Sequence, residues 1–84
     1  MADSLANFYP FQGTASSPAS LSFPVKCREV TIINDSDIDD LSFKFNSDED
    51  YGILSGGETI TIKINTKSVF LNGGGVGYRV WGVG

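Results

Sequence analysis

Residues 41–64 read LSFKFNSDEDYGILSGGETITIKI, and two short runs within them decide the fold class. In residues 41–46, Leu41, Phe43 and Phe45 alternate with Ser42, Lys44 and Asn46; in residues 59–64, Ile60, Ile62 and Ile64 alternate with Thr59, Thr61 and Lys63. A side-chain period of two is that of a half-buried β-strand, so both runs predict strands with the Leu, Phe and Ile side chains inward. Between them lie an acidic turn at 47–50, a short strand at 51–54 and the pair Gly56-Gly57, where the positive φ of a tight reversal costs little.

The same grammar extends in both directions. Upstream, residues 26–34 (KCREVTIIN) are rich in β-branched side chains and predict a strand with Val30 and Ile32 inward, followed at 35–40 by Asp and Ser residues whose side chains bond nearby backbone amides in turns. Downstream, residues 65–67 predict a turn, 68–72 (SVFLN) a strand, 73–75 a glycine loop and 76–83 (VGYRVWGV) a terminal strand. No window carries the i, i+3, i+4 apolar spacing of a helix. The expectation is an all-β domain, a small antiparallel β-sandwich or barrel of about six short strands, with the choice between the two left open.

Residues 1–24 read differently. Ser, Ala, Gly and Pro dominate, no period persists, and yet Leu5, Phe8, Tyr9, Phe11, Leu21 and Phe23 are too large and too aromatic for a solvated linker. They predict an extended N-terminal arm that docks on a neighbour, leaving residues 25–84 as the β domain. About 60 residues without a disulfide or metal lie near the lower limit for independent stability. Association would relieve this, the arm adding to a neighbour's sheet edge. A homo-oligomer, with a trimer among the arrangements, is expected.

The net charge of −4 is unevenly spread: residues 35–58 hold eight carboxylates against Lys44, whereas residues 59–84 hold Lys63, Lys67 and Arg79 and no acid. If the middle loops cluster, the domain has an acidic and a mildly basic end, which suits head-to-tail or electropositive partners and argues against nucleic acid. No run reaches the roughly 18 apolar residues of a membrane span, and MADSLANFYP lacks the basic start and apolar stretch of a signal peptide, so use from the cytoplasm without a membrane is expected.

Catalytic chemistry is poorly supplied. The chain has no His and a single cysteine, Cys27, set early in a strand and read as a packed thiol; no catalytic residue and no cofactor is expected. Asp35, Asp37 and Asp39 are spaced like the start of a calcium loop, but an EF-hand wants Gly and Glu where this chain has Asp40 and Asn46. A looser calcium site shared with Asp48, Glu49 or Asp50 stays open beside the solvated turn, and no metal ligand is assigned. Gly73 to Gly77 lacks the helix or Lys-Ser/Thr continuation of a phosphate cradle and reads as a hairpin loop. Tyr78 and Trp81 join the arm aromatics as candidate surface residues, since aromatics serve both interfaces and sugar-stacking platforms.

The succession VTIINDSD, LSFKFN, LSGGETITIKI, SVFLNG and GYRVWG, from Val30 to Trp81, resembles small accessory virion proteins of tailed bacteriophages, over roughly residues 25–84. The resemblance implies a non-enzymatic virion component assembled in the host cytoplasm. A head decoration or cement protein is the first expectation, its arm along the major capsid protein or a neighbouring copy; a tail, neck or baseplate component is the second. Two other classes stay open: a carbohydrate-binding module, with Trp81 and Tyr78 exposed on one sheet face, and a free-standing monomeric regulator. The partner-interface candidates are therefore Leu5, Phe8, Tyr9, Phe11, Leu21, Phe23, Tyr78 and Trp81.

Overall fold

The computed structural model describes residues 8–15, 19–46, 50–73 and 75–84. Its strands are β1 (Phe8–Ala15), β2 (Ala19–Asn34), β3 (Leu41–Lys44), β4 (Gly52–Leu54), β5 (Thr59–Asn72) and β6 (Val76–Val83). They form one antiparallel sheet in the order β1-β6-β2-β5-β3-β4.

The long strands β2 and β5 make the sheet curl. Residues 19–22 of β2 pair with residues 68–71 of β5, and after register breaks between Ser22 and Cys27 and between Cys27 and Glu29, residues 29–33 pair with 59–63. Pro24, which has no N–H for a ladder, lies within the first break. On β5 the matching bend is held locally: the Thr66 hydroxyl donates to the Ser68 carbonyl at 2.9 Å and accepts from the Ser68 N–H at 3.2 Å. Both strands thus pass from one leaf to the other. The first leaf is β1, β6 and the facing halves of β2 and β5; the second is the remaining halves of β2 and β5 with β3 and β4.

One core lies between the leaves. From the first come Val30, Ile32, Val76, Tyr78 and Val80, and from the second Leu41, Phe45, Leu54, Val69 and Leu71, all buried. The inward faces expected of residues 30–32 and 41–46 are those observed. Ile60, Ile62 and Ile64 also pack against the core but are only partly buried, because the first half of β5 has β2 on one side and, among the described residues, no strand on the other.

Two expectations are corrected. Among the described residues the expected arm does not stand apart from the β domain at residue 24: residues 8–15 form β1, paired along their length with β6, and residues 19–24 open β2, with Ala15 and Phe23 in the core, while residues 1–7 and 16–18 of the arm reading lie outside the described residues. The arm was misread because β1 carries aromatic side chains on both faces, which hides the period of two. Likewise residues 65–67 are not a turn but the bend inside a continuous β5, so two of the six strands are long.

Candidate functional site

Alternation along each strand assigns the outer face of the first leaf. Phe8, Val83, Glu29 and Lys63 lie in one cross-strand row, Pro10, Trp81, Thr31 and Thr61 in the next, and Gln12, Arg79, Ile33 and Thr59 in a third. Phe8 and Trp81 meet on this face with ring centroids 6.1 Å apart and planes tilted by 48°. Phe8 is 40% exposed. A shallow hollow of about 410 Å³ opens here, lined by Phe8, Pro10, Phe11, Gln12, Arg79 and Trp81.

The polar border of the hollow is oriented by an ion pair. The Arg79 guanidinium donates to the Asp35 carboxylate from Nε at 3.0 and 3.1 Å and from Nη2 at 2.9 Å. That hydrogen bond, and after it the charge of Asp35, raise Arg79 above its ordinary value, so it stays cationic. Asp35 is itself placed by the Asp35 N–H donating to the Gly77 carbonyl at 2.9 Å. Beside it, buried Asn34 donates to the Asp39 and Leu54 carbonyls at 2.8 and 2.9 Å and accepts from the Ser36 N–H at 2.9 Å.

The eight interface candidates separate. Phe8 and Trp81 come together at the surface. Tyr9, Phe11 and Leu21 face inward and are half-buried against the core. Phe23, 2% exposed, and Tyr78, 6% exposed, are core residues, which corrects their assignment to a surface. The Phe23 and Phe11 rings meet with centroids 5.4 Å apart and planes tilted by 57°, and Tyr78 stands over Gly13, its cross-strand partner. Leu5 lies outside the described residues. Pro10, Gln12 and Arg79 were missed; the signal for them was the alternation Phe8, Pro10, Gln12 against Tyr9, Phe11, Gly13, legible only once β1 is accepted as a strand.

Among the described residues the buried polar ones are Asn34, Thr66 and, covered by its neighbours on the outer face, Thr31, and each is hydrogen-bonded, Thr31 to Thr61 at 2.9 Å. Burial pushes the Cys27 thiol up, which keeps it protonated and unreactive. Among the described residues no three His, Cys, Asp or Glu are grouped to hold a metal ion; Asp48 and Glu49 of the open calcium reading lie outside them.

No protein-family model and no curated protein matches the sequence. Solved structures do match by shape. A de novo designed double-stranded β-helix superposes with a TM-score of 0.56 at 11% identity, over 87% of this chain and 94% of that one. An RmlC-like cupin from Desulfovibrio desulfuricans has a TM-score of 0.61 at 16% identity, over 92% and 72% of the two chains. Protein NMB1881 from Neisseria meningitidis has 0.61 at 9% identity, over 93% and 75%. At such identities the likeness is one of fold alone, and the fold is the curled, antiparallel all-β architecture of double-stranded β-helix and cupin-like proteins.

Proposed function

We propose that this chain is a non-enzymatic structural component of a virion, holding a larger protein surface through the outer face around Phe8, Pro10 and Trp81. One observation carries the reading: the half-exposed Phe8–Trp81 pair, set on a rigid sheet beside an ion-paired arginine. Trp and Arg are enriched where interfaces concentrate their binding energy, because each joins a large contact area to a directed polar group. A stiff sheet presents them at little cost in ordering. The apolar interior and the buried, protonated Cys27 support a role without catalysis.

The virion setting rests on the sequence resemblance across residues 25–84. Within it, a head decoration or cement protein on the major capsid protein is the first reading and a tail, neck or baseplate part the second. The docking element differs from a free arm: β1 stays in its own sheet and offers its outer face. Co-sedimentation tests this. Wild-type chain pellets with purified virions that lack it, whereas the Phe8→Ala/Trp81→Ala variant stays in the supernatant; failure of the wild type to pellet removes the virion reading.

A carbohydrate-binding surface is a second reading, favoured by Gln12 and Arg79 beside Trp81, polar groups that suit sugar hydroxyls. It has lost its expected partner, since Tyr78 faces the core. Binding on a glycan array that disappears in Trp81→Ala would favour it over protein docking.

A further inference from the structure

The sheet leaves several backbone edges open, and they are not alike. The Asn34 N–H donates to the Glu58 carbonyl at 3.0 Å, which fixes the parity of the β2–β5 ladder. Glu58, Ile60 and Ile62 turn their backbone groups toward β2, and Thr59, Thr61 and Lys63 therefore turn theirs away from it. On the other side of β2 the Asp35 N–H donates to the Gly77 carbonyl, so the opposite parity faces β6, as a continuous sheet requires. Among the described residues no strand lies along residues 59–63 on that open side, since β3 pairs only with residues 70–72.

An unpaired strand edge is a template for another strand, and proteins blunt such edges with proline, bulges, charge or brevity. β1 carries Pro10, the open side of residues 19–22 runs into Pro24 and the register break, and β4 is only three residues long. Residues 59–63 (TITIK) have none of these devices except Lys63. Four of the five are β-branched, and on their other side they pair with β2 without interruption. Ile60 and Ile62, on the inner face of this edge, are only partly buried.

We propose that two copies of this chain join edge to edge through residues 59–63, antiparallel about a two-fold axis at Thr61. The segment is its own complement in that register. Thr59 of each copy pairs with Lys63 of the other and Thr61 with Thr61, three pairs that exchange about six backbone hydrogen bonds. On the inner side Ile60 of each copy meets Ile62 of the other at the close spacing of a non-hydrogen-bonded pair, covering apolar surface that the single chain leaves partly open. No like charges come opposite: the two Lys63 side chains stand about 13 Å apart along the seam, and each has Glu29 across its own ladder. An axis one residue earlier would draw on Gly57, whose φ of +79° is not that of a strand, and one residue later on Asn65, which adjoins the bend at Thr66. A second copy is thus the occupant that the residues themselves specify, and the isologous contact closes as a dimer. The outer faces of both copies point the same way. Their Phe8–Trp81 pairs stay uncovered, three strands or roughly 14 Å from the seam, so the inference does not rest on the docking role of that face.

Sedimentation equilibrium and amide exchange of the full chain test this. A seam this short is a small interface, so a monomer–dimer equilibrium is expected at concentrations up to about 1 mM rather than a permanent dimer. With rising concentration the Thr59, Thr61 and Lys63 amides gain protection, whereas those of Ile60 and Ile62, bonded to β2, are protected throughout. Thr61→Lys and Thr61→Glu each set like charges face to face at the axis and weaken association by about fivefold. Mixed in equal amounts, they pair with each other. Thr61→Val, which drops the hydroxyl bonded to Thr31, dimerises as wild type does. All three keep wild-type circular dichroism, and Phe8→Ala/Trp81→Ala keeps the dimer. A wild type that stays monomeric at about 1 mM, edge amides whose protection ignores concentration, or charge variants that do not pair when mixed overturn the proposal.

Discussion

The Phe23 ring and Gly82 are in such close contact that a Cβ on Gly82 would lie 2.8 Å from the ring edge, and the same atom would lie 2.6 Å from the Cys27 sulfur. Phe23 and Cys27 flank the register break at which β2 changes leaf, and β6 must run beneath both. The absence of a side chain at residue 82 is thus what lets the curl close over its core.

Gly82→Ala should destabilise the fold by about 1–3 kcal/mol, the range for adding a methyl group to a filled interior. Urea denaturation gives the number. A midpoint equal to wild type would mean that Phe23 and Cys27 move aside freely. Gly57→Ala should also cost stability for another reason: Gly57 has open space around it but a φ of +79°, where an L side chain is strained.

The Asn34 side chain ties β2, the acidic loop and the end of β4 together. Asn34→Ala should cost about 2–3 kcal/mol, because the buried Leu54 carbonyl loses its donor. Asn34→Asp should be no better, since it keeps the acceptor for Ser36 but presents oxygen to two carbonyls. If Asn34→Asp matched wild type at neutral pH, the assigned amide orientation would be wrong.

Burial raises the Cys27 thiol above its ordinary value of 9.0, so the folded state holds that proton more tightly than the unfolded chain. The sign follows: this contribution is fully present below about pH 9 and is lost as pH rises through the folded value. Urea midpoints at pH 7 and pH 10.5 should fall further for wild type than for Cys27→Ala. In the native state a thiol reagent should label Cys27 only at the rate of unfolding.

A chain begun at residue 19 tests the place of β1. It leaves the inner face of β6 without Tyr9, Phe11 and Ala15. Loss of a cooperative thermal transition is expected. A truncated chain that melts as wild type does would restore the arm and its boundary at residue 24.

Trp81 is half-exposed beside Phe8, so its fluorescence should be quenched by iodide in the isolated chain and shielded when the face is docked. Trp81→Ala should change stability by little, about 1 kcal/mol or less, as the site is at the surface. A loss much above that would mark the tryptophan as part of the folding core.

The all-β class, the inward sets of residues 30–32 and 41–46 and the reversal at Gly56-Gly57 follow from residue order alone, because a local period of two and the φ freedom of glycine act within a few residues. Three matters were decided only by the curled sheet. Residues 8–15 are a strand because β6 lies alongside to pair with them, and their own aromatics on both faces disguise the alternation. Tyr78 is buried in the core while Trp81 lies half-buried on the outer face, although both sit in one aromatic strand, since which parity faces the core depends on the leaf that covers it. The joint bend of β2 and β5 depends on residues 19–22 meeting residues 68–71, a pairing between distant parts of the chain. Local chemistry fixes what each segment can be, and only closure of the sheet settles which side of it faces the core.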